Sequence, residues 1–319
     1  MRYIQQRVSG LCEKVCKLTY INLYFIYYIM GTLITSKEFQ QFLPSTFVFD
    51  LEYVGVPNNL NRCYIWEIGI IHLISGTKFS ITMDPEIRPL PPPMSEEFAN
   101  VTEEFLKNKN AVGFNFGWNM FLHFVRQWSE NKVLLISHNN FKSDKLMLEI
   151  EAKRRGLELP YSWYFLDSLL YCRKVIPKQP SYTLHDLYYG MFGKRITDNH
   201  SALPDAIALV EILYRTNIVN ICGPIYPSFC TSLQAIKWLG PSCERALFEN
   251  NIRSLEQLVA NIIAGYSGYT LIKTGPTHMS EYVNYYITTI CGITTGNSTS
   301  ISNSIIEKWL PSKVSQTVV

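Results

Sequence analysis

Three apolar runs lie close together in the first third of the chain and constrain its fold more than any other feature. They are Phe47–Leu51, Cys63–Leu73 and Lys78–Met83, and each has the composition of a β-strand. Because their connections are short, the three strands are predicted to form an antiparallel meander.

Strand and helix patterns alternate after the meander. Val133–Ser137 is predicted as a buried strand of the parallel type, followed by an amphipathic helix over Asp144–Arg155. Further helices are predicted over Leu184–Phe192 and Pro204–Tyr214. A meander followed by this alternation predicts an α/β fold with a mixed β-sheet flanked by helices.

The chain is predicted to divide into three regions. Gly223, Pro224 and Pro227 suggest a boundary after the α/β pattern. The expected regions are an extension over residues 1–44, a central domain over 45–218 and a helical C-terminal region over 228–319. Within the last region, Thr294–Ser304 is rich in Ser, Thr, Asn and Gly and is predicted to be flexible.

An uncharged apolar segment covers residues 18–35 and lies between Lys17 and Lys37. Its length reaches the lower limit of a membrane span, so a membrane anchor is one interpretation. Its threonines, its asparagine and its many tyrosines favour the other, an extension that does not enter a membrane. Met30 is a further candidate for the functional start.

Composition excludes some classes of protein. With 319 residues, 47% of them hydrophobic, the chain can bury a core, and its net charge of +3 does not suggest a broad electrostatic grip on nucleic acid. The eight cysteines are scattered without a Cys-x2-Cys pair, which argues against a zinc site. They also favour a reducing compartment, so we expect an intracellular protein of the nucleus or cytoplasm.

Asp50 and Glu52 interrupt the first apolar run. On a strand, side chains two residues apart point to the same face, so both carboxylates project together. Their repulsion is best compensated by a cation. The alternative is a solvated edge strand, which the apolar and aromatic flanks make the weaker interpretation.

Three further residues are candidates for the same site. Asp144 is predicted at the start of a helix after a parallel strand, where α/β folds place their sites. His200 precedes a helix whose first turn carries Asp205, and an imidazole there can take a proton from an attacking water. Each has an ordinary structural explanation when taken alone.

Four carboxylates and one imidazole together make a specific constellation. Oxygen ligands favour magnesium or manganese over zinc. Two such ions, roughly 3.5–4 Å apart, can activate water and stabilise the leaving oxygen of a phosphodiester. The constellation therefore predicts metal-dependent phosphodiester hydrolysis.

Three blocks of sequence resemble the DEDDh 3'-to-5' exonucleases, and among them the branch of the three-prime repair exonucleases. The blocks are Phe49–Pro57, His138–Asp144 and His200–Leu209, and they occur in the family's order. Asp167-Ser168 and Ser181-Tyr182 between them are also similar to the family. The resemblance covers about residues 45–216.

This resemblance implies a ribonuclease H-like fold and two Mg²⁺ ions, which Mn²⁺ can replace. It implies that His200 is the general base and that the metal ligands are Asp50, Glu52, Asp144 and Asp205. The residues implied to bind the terminal nucleotide are Leu51, Tyr53, Gly55, Asn139 and Lys142. Tyr53 and Val54 replace the small or hydroxyl residues usual in the family, which leaves the strand preference open.

The implied activity is hydrolysis of DNA from its 3' end, with release of 5'-mononucleotides in DNA repair. An exoribonuclease is an alternative, because the chemistry does not itself choose the sugar. A catalytically idle nucleic-acid-binding module is a second alternative. Partners other than nucleic acid stay open: a second copy of the chain, and a membrane contacted through residues 18–35.

Two more features point to nucleic acid. Lys142 and Arg195 flank the motif blocks and are candidates for phosphate contacts. Ile236–Pro241 and Asn251–Leu258 lie around a predicted helix and resemble a helix-hairpin-helix, whose backbone amides can hold a phosphate. A small helical cap on the central domain explains the same pattern equally well.

Overall fold

Eight strands of the chain form one mixed β-sheet, in the order β1-β8-β7-β6-β2-β3-β4-β5. The computed structural model describes residues 32–56, 59–91, 100–128, 132–176, 178–197, 201–228, 230–272, 278–294 and 296–310. The strands are β1 Thr32–Ile34, β2 Thr46–Gly55, β3 Cys63–His72, β4 Lys78–Asp84, β5 Val112–Gly113, β6 Val133–Ser137, β7 Trp163–Asp167 and β8 Gly223–Pro227.

Helices cover both faces of the sheet. They are α1 Ser36–Phe42, α2 Glu103–Asn108, α3 Phe114–Arg126, α4 Asp144–Arg154, α5 Ser168–Val175, α6 Leu184–Phe192, α7 Ala202–Arg215, α8 Pro241–Glu249, α9 Leu255–Ile272, α10 Met279–Tyr285 and α11 Ser298–Trp309. The predicted α/β fold, with a mixed sheet flanked by helices, is confirmed.

The predicted meander is present, because β3 pairs antiparallel with both β2 and β4. Strand β6 runs parallel to β2 on one side and to β7 on the other, as its apolar composition predicted. The carboxyl ends of β6 and β7 therefore meet at one edge of the sheet, where Ser137 pairs with Asp167.

Alternation along β2 separates its acids from its core residues. Phe47, Phe49 and Leu51 belong to one buried cluster, whereas Val48 belongs to the cluster on the opposite face, which includes α7. Asp50 and Glu52 share the parity of Val48, so they lie on the face covered by α7.

A β-bulge adjoins these acids. Glu52 pairs with Glu67, but Tyr53 pairs with Ile65, so Trp66 is an extra residue on β3. A bulge bends a strand and increases its twist locally. Here it separates the acidic part of β2 from the end of the strand at Gly55.

The residues expected to form the boundary, Gly223, Pro224 and Pro227, lie in strand β8. Pro227 pairs with Tyr164 of β7, and Pro224 pairs with Leu33 of β1. Proline is tolerated in strands near the edge of a sheet. Strand β8 is such a strand, because in the described sheet only the three-residue β1 lies between it and the edge. The division into three regions stays a prediction.

The described residues before and after the central domain join its sheet and core. Strand β1 comes from the predicted extension, and Thr35 caps α1 in a reciprocal capping box with Glu38. On the C-terminal side, the rings of Tyr226 and Phe141 lie 4.9 Å apart. Buried apolar residues from Leu233 to Ile305 continue the same cluster.

The predicted flexible segment Thr294–Ser304 is also corrected. Its second half forms the start of α11, which covers Ser298–Trp309. Ile301 and Ile305 are fully buried one turn apart. This apolar spacing outweighs the low helix propensity of the surrounding Ser, Thr and Asn residues.

Most of the apolar segment over residues 18–35 lies outside the described residues. The part that the structure describes begins at Thr32, and Thr32–Ile34 pair with β8. None of the described helices is long and apolar enough to cross a membrane.

Candidate active site

Three of the predicted metal ligands come together on the face of the sheet covered by α7. Asp50, Glu52 and Asp205 each offer one carboxylate oxygen, and these atoms all lie within 4.8 Å of one another. Glu52 and Asp205 are 6% and 5% exposed. Strand β2 supplies the first two residues and the first turn of α7 supplies the third. Three closely spaced carboxylates can hold a divalent cation.

Asp144 lies beside this cluster and not within it. It begins α4 as predicted and is 3% exposed. Its Oδ2 accepts hydrogen bonds from Ser137 Oγ at 2.7 Å and from Ser143 Oγ at 2.9 Å. The two hydroxyls hold the carboxylate at the carboxyl end of β6. Burial is the largest cause of the raised pKa of Asp50, and the charge of the nearby Asp144 adds to it.

Burial and the charges of neighbouring acids raise the pKa values of Asp50, Glu52 and Asp144. Burial is the largest cause for Glu52, whose pKa rises to about 9, and the charges of Asp205 and Glu67 add to it. Burial also raises the pKa of Asp144 to about 6, against the lowering effect of the two serine hydroxyls. Protons and a divalent cation would therefore compete for the same oxygens.

Glu67 is a further buried carboxylate at the site, which the sequence interpretation missed. It lies opposite Glu52 across the β2–β3 ladder and is 6% exposed. Its Oε2 accepts hydrogen bonds from the Ala202 backbone amide at 3.1 Å and from Ser201 Oγ at 3.2 Å. The sequence did contain an indication of this residue, because Glu67 is the only acidic residue in the apolar run Cys63–Leu73.

Gly69 brings α7 close to the sheet at the same place. A Cβ atom on Gly69 would lie 2.3 Å from the Leu203 nitrogen and 2.4 Å from the Ala202 carbonyl carbon. The start of α7 therefore packs directly on β3. The carboxylate of Glu67 accepts a hydrogen bond from the first amide of α7, that of Ala202. Together they fix the helix that carries Asp205.

His200 lies outside the described residues, and its role as general base stays a prediction. Two other histidines lie near the acids. His138 Nδ1 lies 3.0 Å from Ser168 Oγ and its Nε2 lies 2.7 Å from the Tyr182 carbonyl oxygen. Burial lowers its pKa to about 4, so its ring stays neutral near pH 7.

His185 is a second residue that sequence reasoning missed. It lies in the first turn of α6, and its Nε2 is 3.2 Å from Asp205 Oδ1. The only indication of this role in the sequence was its position three residues after Tyr182, which resembles the family. The contact orients the carboxylate of Asp205 from outside the three-acid cluster.

The residues expected to bind the nucleotide occupy different environments. Leu51 is 4% exposed in the core cluster opposite the acids, so only its backbone can face a ligand there. Tyr53 is half-buried, and burial raises its pKa. Gly55 has φ +148°, and a Cβ atom there would lie 2.1 Å from the Arg62 carbonyl oxygen. Close backbone approach therefore requires glycine at this position.

Asn139 and Lys142 lie in the turn between β6 and α4. Asn139 has φ +61°, a conformation that asparagine tolerates, and its carbonyl oxygen accepts the amides of Lys142 and Ser143, both at 3.1 Å. The side chain of Lys142 is exposed, as is that of Arg195 after α6. Their contacts with substrate stay predictions.

The mixed sheet and its acidic cluster are the features expected of a nuclease of the ribonuclease H-like class. Residues 47–213 match the RNase T family model, described as exonuclease, and this match covers more than half of the chain. The chain therefore belongs to this exonuclease family. The resemblance to exonucleases that the sequence indicated is confirmed at the level of this family. A search of the curated proteins found no match.

Three solved structures are similar to this chain. The nuclease domain of 3'hExo, a DEDDh family member bound to rAMP, has 14% identity and a TM-score of 0.45, with 56% of this chain and 95% of that chain covered. Cell-death related nuclease 4 has 13% identity and a TM-score of 0.39, with 53% and 62% covered.

The third is a 3'-exonuclease from a structure of 3'-end specific recognition of a histone mRNA stem-loop. It has 12% identity and a TM-score of 0.42, with 55% of this chain and 63% of that chain covered. The chain thus spans less than two thirds of the length of the second and third of these structures.

Proposed function

We propose that this exonuclease hydrolyses DNA from the 3' end and releases 5'-mononucleotides with the help of two divalent metal ions. The observation that carries the proposal is the approach of Asp50, Glu52 and Asp205 to within 4.8 Å. Three acids held this close together are costly without a cation, as the raised pKa values of Asp50 and Glu52 indicate.

Each acid has a distinct part in this proposal. Asp50, Glu52 and Asp205 would hold one Mg²⁺ ion, and Asp144, set beside them by its two serines, would complete the site of a second. Bound ions would polarise the scissile phosphate and lower the pKa of the attacking water. Mn²⁺ would serve the same ligands, because it also prefers oxygen.

His200 is assigned the role of general base, which accepts the proton of the attacking water. This residue precedes the N-cap of α7, Ser201, and Asp205 lies in the first turn of that helix. His138 is a poor candidate, because both of its ring nitrogens are engaged and its pKa is lowered to about 4. A base must titrate nearer the working pH.

The choice of DNA over RNA rests on the resemblance to the three-prime repair branch. The test uses 5'-labelled strands of identical sequence in deoxy and ribo form, each single-stranded and each in a duplex. Preferential shortening of the DNA strands from the 3' end supports the proposal. Preferential shortening of the RNA strands identifies an exoribonuclease instead.

The control for catalysis is the variant Asp205→Asn, which keeps the shape of the ligand and removes its charge. We expect mononucleotide release by the wild-type protein with Mg²⁺ and none above background by the variant. If both proteins bind the strands without shortening them in either Mg²⁺ or Mn²⁺, the chain is a binding module and the proposal fails.

A further inference from the structure

A cavity of about 770 Å³ opens at the end of the sheet, between helices α5 and α8. The end of β1, the start of α1 and the start of β8 complete its wall. Three cations line it, Arg173 and Lys174 from α5 and Arg245 from α8, and all three are exposed. We call this space the basic cavity.

The three cations are not neutralised within the part of the chain that the structure describes. Arg173 lies over the Tyr182 ring at 5.8 Å, and Lys174 Nζ donates to Cys222 Sγ at 3.2 Å, but neither contact supplies a negative charge. Five other cations do form ion pairs with carboxylates: Arg88, Lys145, Arg154, Arg155 and Lys194.

One carboxylate, Glu244, also lines the cavity, yet it is engaged elsewhere. Tyr226 Oη donates to it at 2.9 Å and Gln234 Nε2 donates at 2.7 Å. It is 5% exposed, whereas the three cations are exposed. The solvent-facing lining of the cavity therefore carries an excess of positive charge.

The basic cavity lies at the same end of the sheet as the acidic site. It lies at the edge of the sheet where β6 and β7 end, because antiparallel pairing brings the start of β8 beside the end of β7. The carbonyl oxygen of Tyr182, the ring neighbour of Arg173, contacts His138 Nε2 at 2.7 Å. His138 is adjacent in sequence to Asn139 of the predicted nucleotide site.

We propose that the basic cavity binds the phosphodiester backbone of a single strand on the 5' side of the nucleotide being removed. Cations in a groove beside a catalytic site track a polyanion without reading its sequence. The cavity suits a single strand because helices α5 and α8 border it with cations on two sides. This proposal rests on the proposed exonuclease function, but its binding test does not need catalysis.

The test compares two triple variants that each remove three positive charges. One replaces the cavity cations, Arg173→Ala, Lys174→Ala and Arg245→Ala. The control replaces exposed cations on β4, α2 and α3, Lys78→Ala, Lys107→Ala and Arg126→Ala. Both are made in the Asp205→Asn background, and thermal unfolding followed by circular dichroism verifies that each one folds.

Binding of a 5'-fluorescein 20-nucleotide strand is measured by fluorescence anisotropy over a range of salt concentrations. We expect the cavity variant to raise Kd at least tenfold. We also expect the slope of log K against log salt to fall by about 2, because each phosphate contact on a single strand contributes about 0.7. The control variant should stay within twofold of its parent in Kd and retain the slope.

A second arm uses the same triple variants with Asp205 intact and compares hydrolysis of a dinucleotide with that of the 20-nucleotide strand. A cavity that binds only the upstream backbone predicts a raised KM for the long strand and unchanged turnover of the dinucleotide. Equal losses on both substrates, binding no weaker than in the control, or no binding by the parent would each overturn the proposal. Strand binding without hydrolysis by the wild-type protein would instead overturn the exonuclease function alone.

Discussion

The carboxylate of Glu67 on β3 accepts the backbone amide hydrogen of Ala202, the first residue of α7, over a distance of 3.1 Å. This bond joins the strand next to the acids of β2 to the helix that carries Asp205. An orphan amide at a helix start is thereby satisfied by a charged acceptor from another element. Asp205 follows three residues later, so its position depends on this contact.

Replacing Glu67 with alanine should weaken both the fold and the site. We expect Glu67→Ala to lower the free energy of unfolding by about 1–2 kcal/mol, the usual cost of losing a helix cap. We also expect kcat/KM to fall, because the first turn of α7 loses its anchor. Urea unfolding and nuclease kinetics measure the two effects.

Two further variants separate the effect of the hydrogen-bond acceptor at position 67 from the effect of its negative charge. Glu67→Gln keeps an oxygen acceptor without the charge and should retain more activity than Glu67→Ala. Glu158→Ala removes an exposed glutamate of a loop and should change neither quantity. If glutamine is as damaging as alanine, the charge of Glu67 beside Glu52 is the important property and the anchoring explanation is wrong.

Gly69 should be intolerant of even one methyl group. The added Cβ of Gly69→Ala would meet the backbone of Ala202 and Leu203 at 2.3–2.6 Å, and backbone cannot rotate away. We expect a destabilisation of about 1–3 kcal/mol, typical of overpacking, with a loss of activity as α7 shifts. Thermal unfolding and nuclease kinetics test this expectation.

The matched control is Gly190→Ala, within helix α6. The nearest atom to its added Cβ would be Gln179 Oε1 at 3.9 Å, so there is space for it. Alanine is the better helix former, so this variant should be neutral or slightly stabilising. A Gly69→Ala protein as stable and active as Gly190→Ala would show that α7 does not rest on β3 as described.

The acids were predictable from sequence because their order and spacing carried the information. Asp50 and Glu52 interrupt an apolar strand two residues apart, and Asp205 follows a helix start. Glu67 and His185 were missed because their roles depend on long-range contacts, to Ala202 and to Asp205. No local pattern specifies which distant backbone amide a carboxylate will bind.

Long-range contacts also decide the local structure of two segments that their sequence alone does not reveal. Gly223, Pro224 and Pro227 resemble a linker locally, but pairing with β7 and β1 makes them a strand. Strand pairing outweighed local propensity there. In α11, the burial of Ile301 and Ile305 outweighed the low helix propensity of the polar residues around them. Strand β1 was missed because its three residues are too short for a periodic pattern.

Stability without metal should fall as the pH rises. The pKa of Glu52 is raised from 4.5 to about 9, mainly by burial, so the folded protein retains a proton that the unfolded chain has released. The free energy of unfolding in EDTA should therefore decrease between about pH 4.5 and pH 9. Circular dichroism melts from pH 5 to pH 8.5 measure the slope.

Glu52→Gln and added Mg²⁺ both test the cause of this slope. The variant cannot titrate at position 52, so its slope should be shallower than that of the wild-type protein. Mg²⁺ should raise Tm more at pH 8 than at pH 5, because protons compete with it at the lower pH. The control variant Glu104→Gln changes an exposed glutamate of α2 and should keep the wild-type slope of unfolding free energy against pH. Equal slopes for the wild-type protein, Glu52→Gln and Glu104→Gln would exclude Glu52 as the cause.

Two histidine variants should fail in different ways. His185 contacts Asp205 from outside the acid cluster, so His185→Ala should weaken metal affinity by about 10–100-fold, as is usual when a residue supporting a ligand is lost. Its kcat at saturating metal should stay near the wild-type value. His200→Ala should lower kcat by about 10²–10⁴-fold, the usual contribution of a general base, with metal affinity unchanged.

Titration of activity with Mn²⁺, followed by kcat at saturation, separates these outcomes. Isothermal calorimetry gives metal affinity independently of turnover. His185→Asn keeps a nitrogen donor toward Asp205 Oδ1, so it should recover part of the affinity that alanine loses. If His185→Ala instead loses kcat at saturating metal while His200→Ala retains it, His185 is the base, and the assignment of His200 must be abandoned.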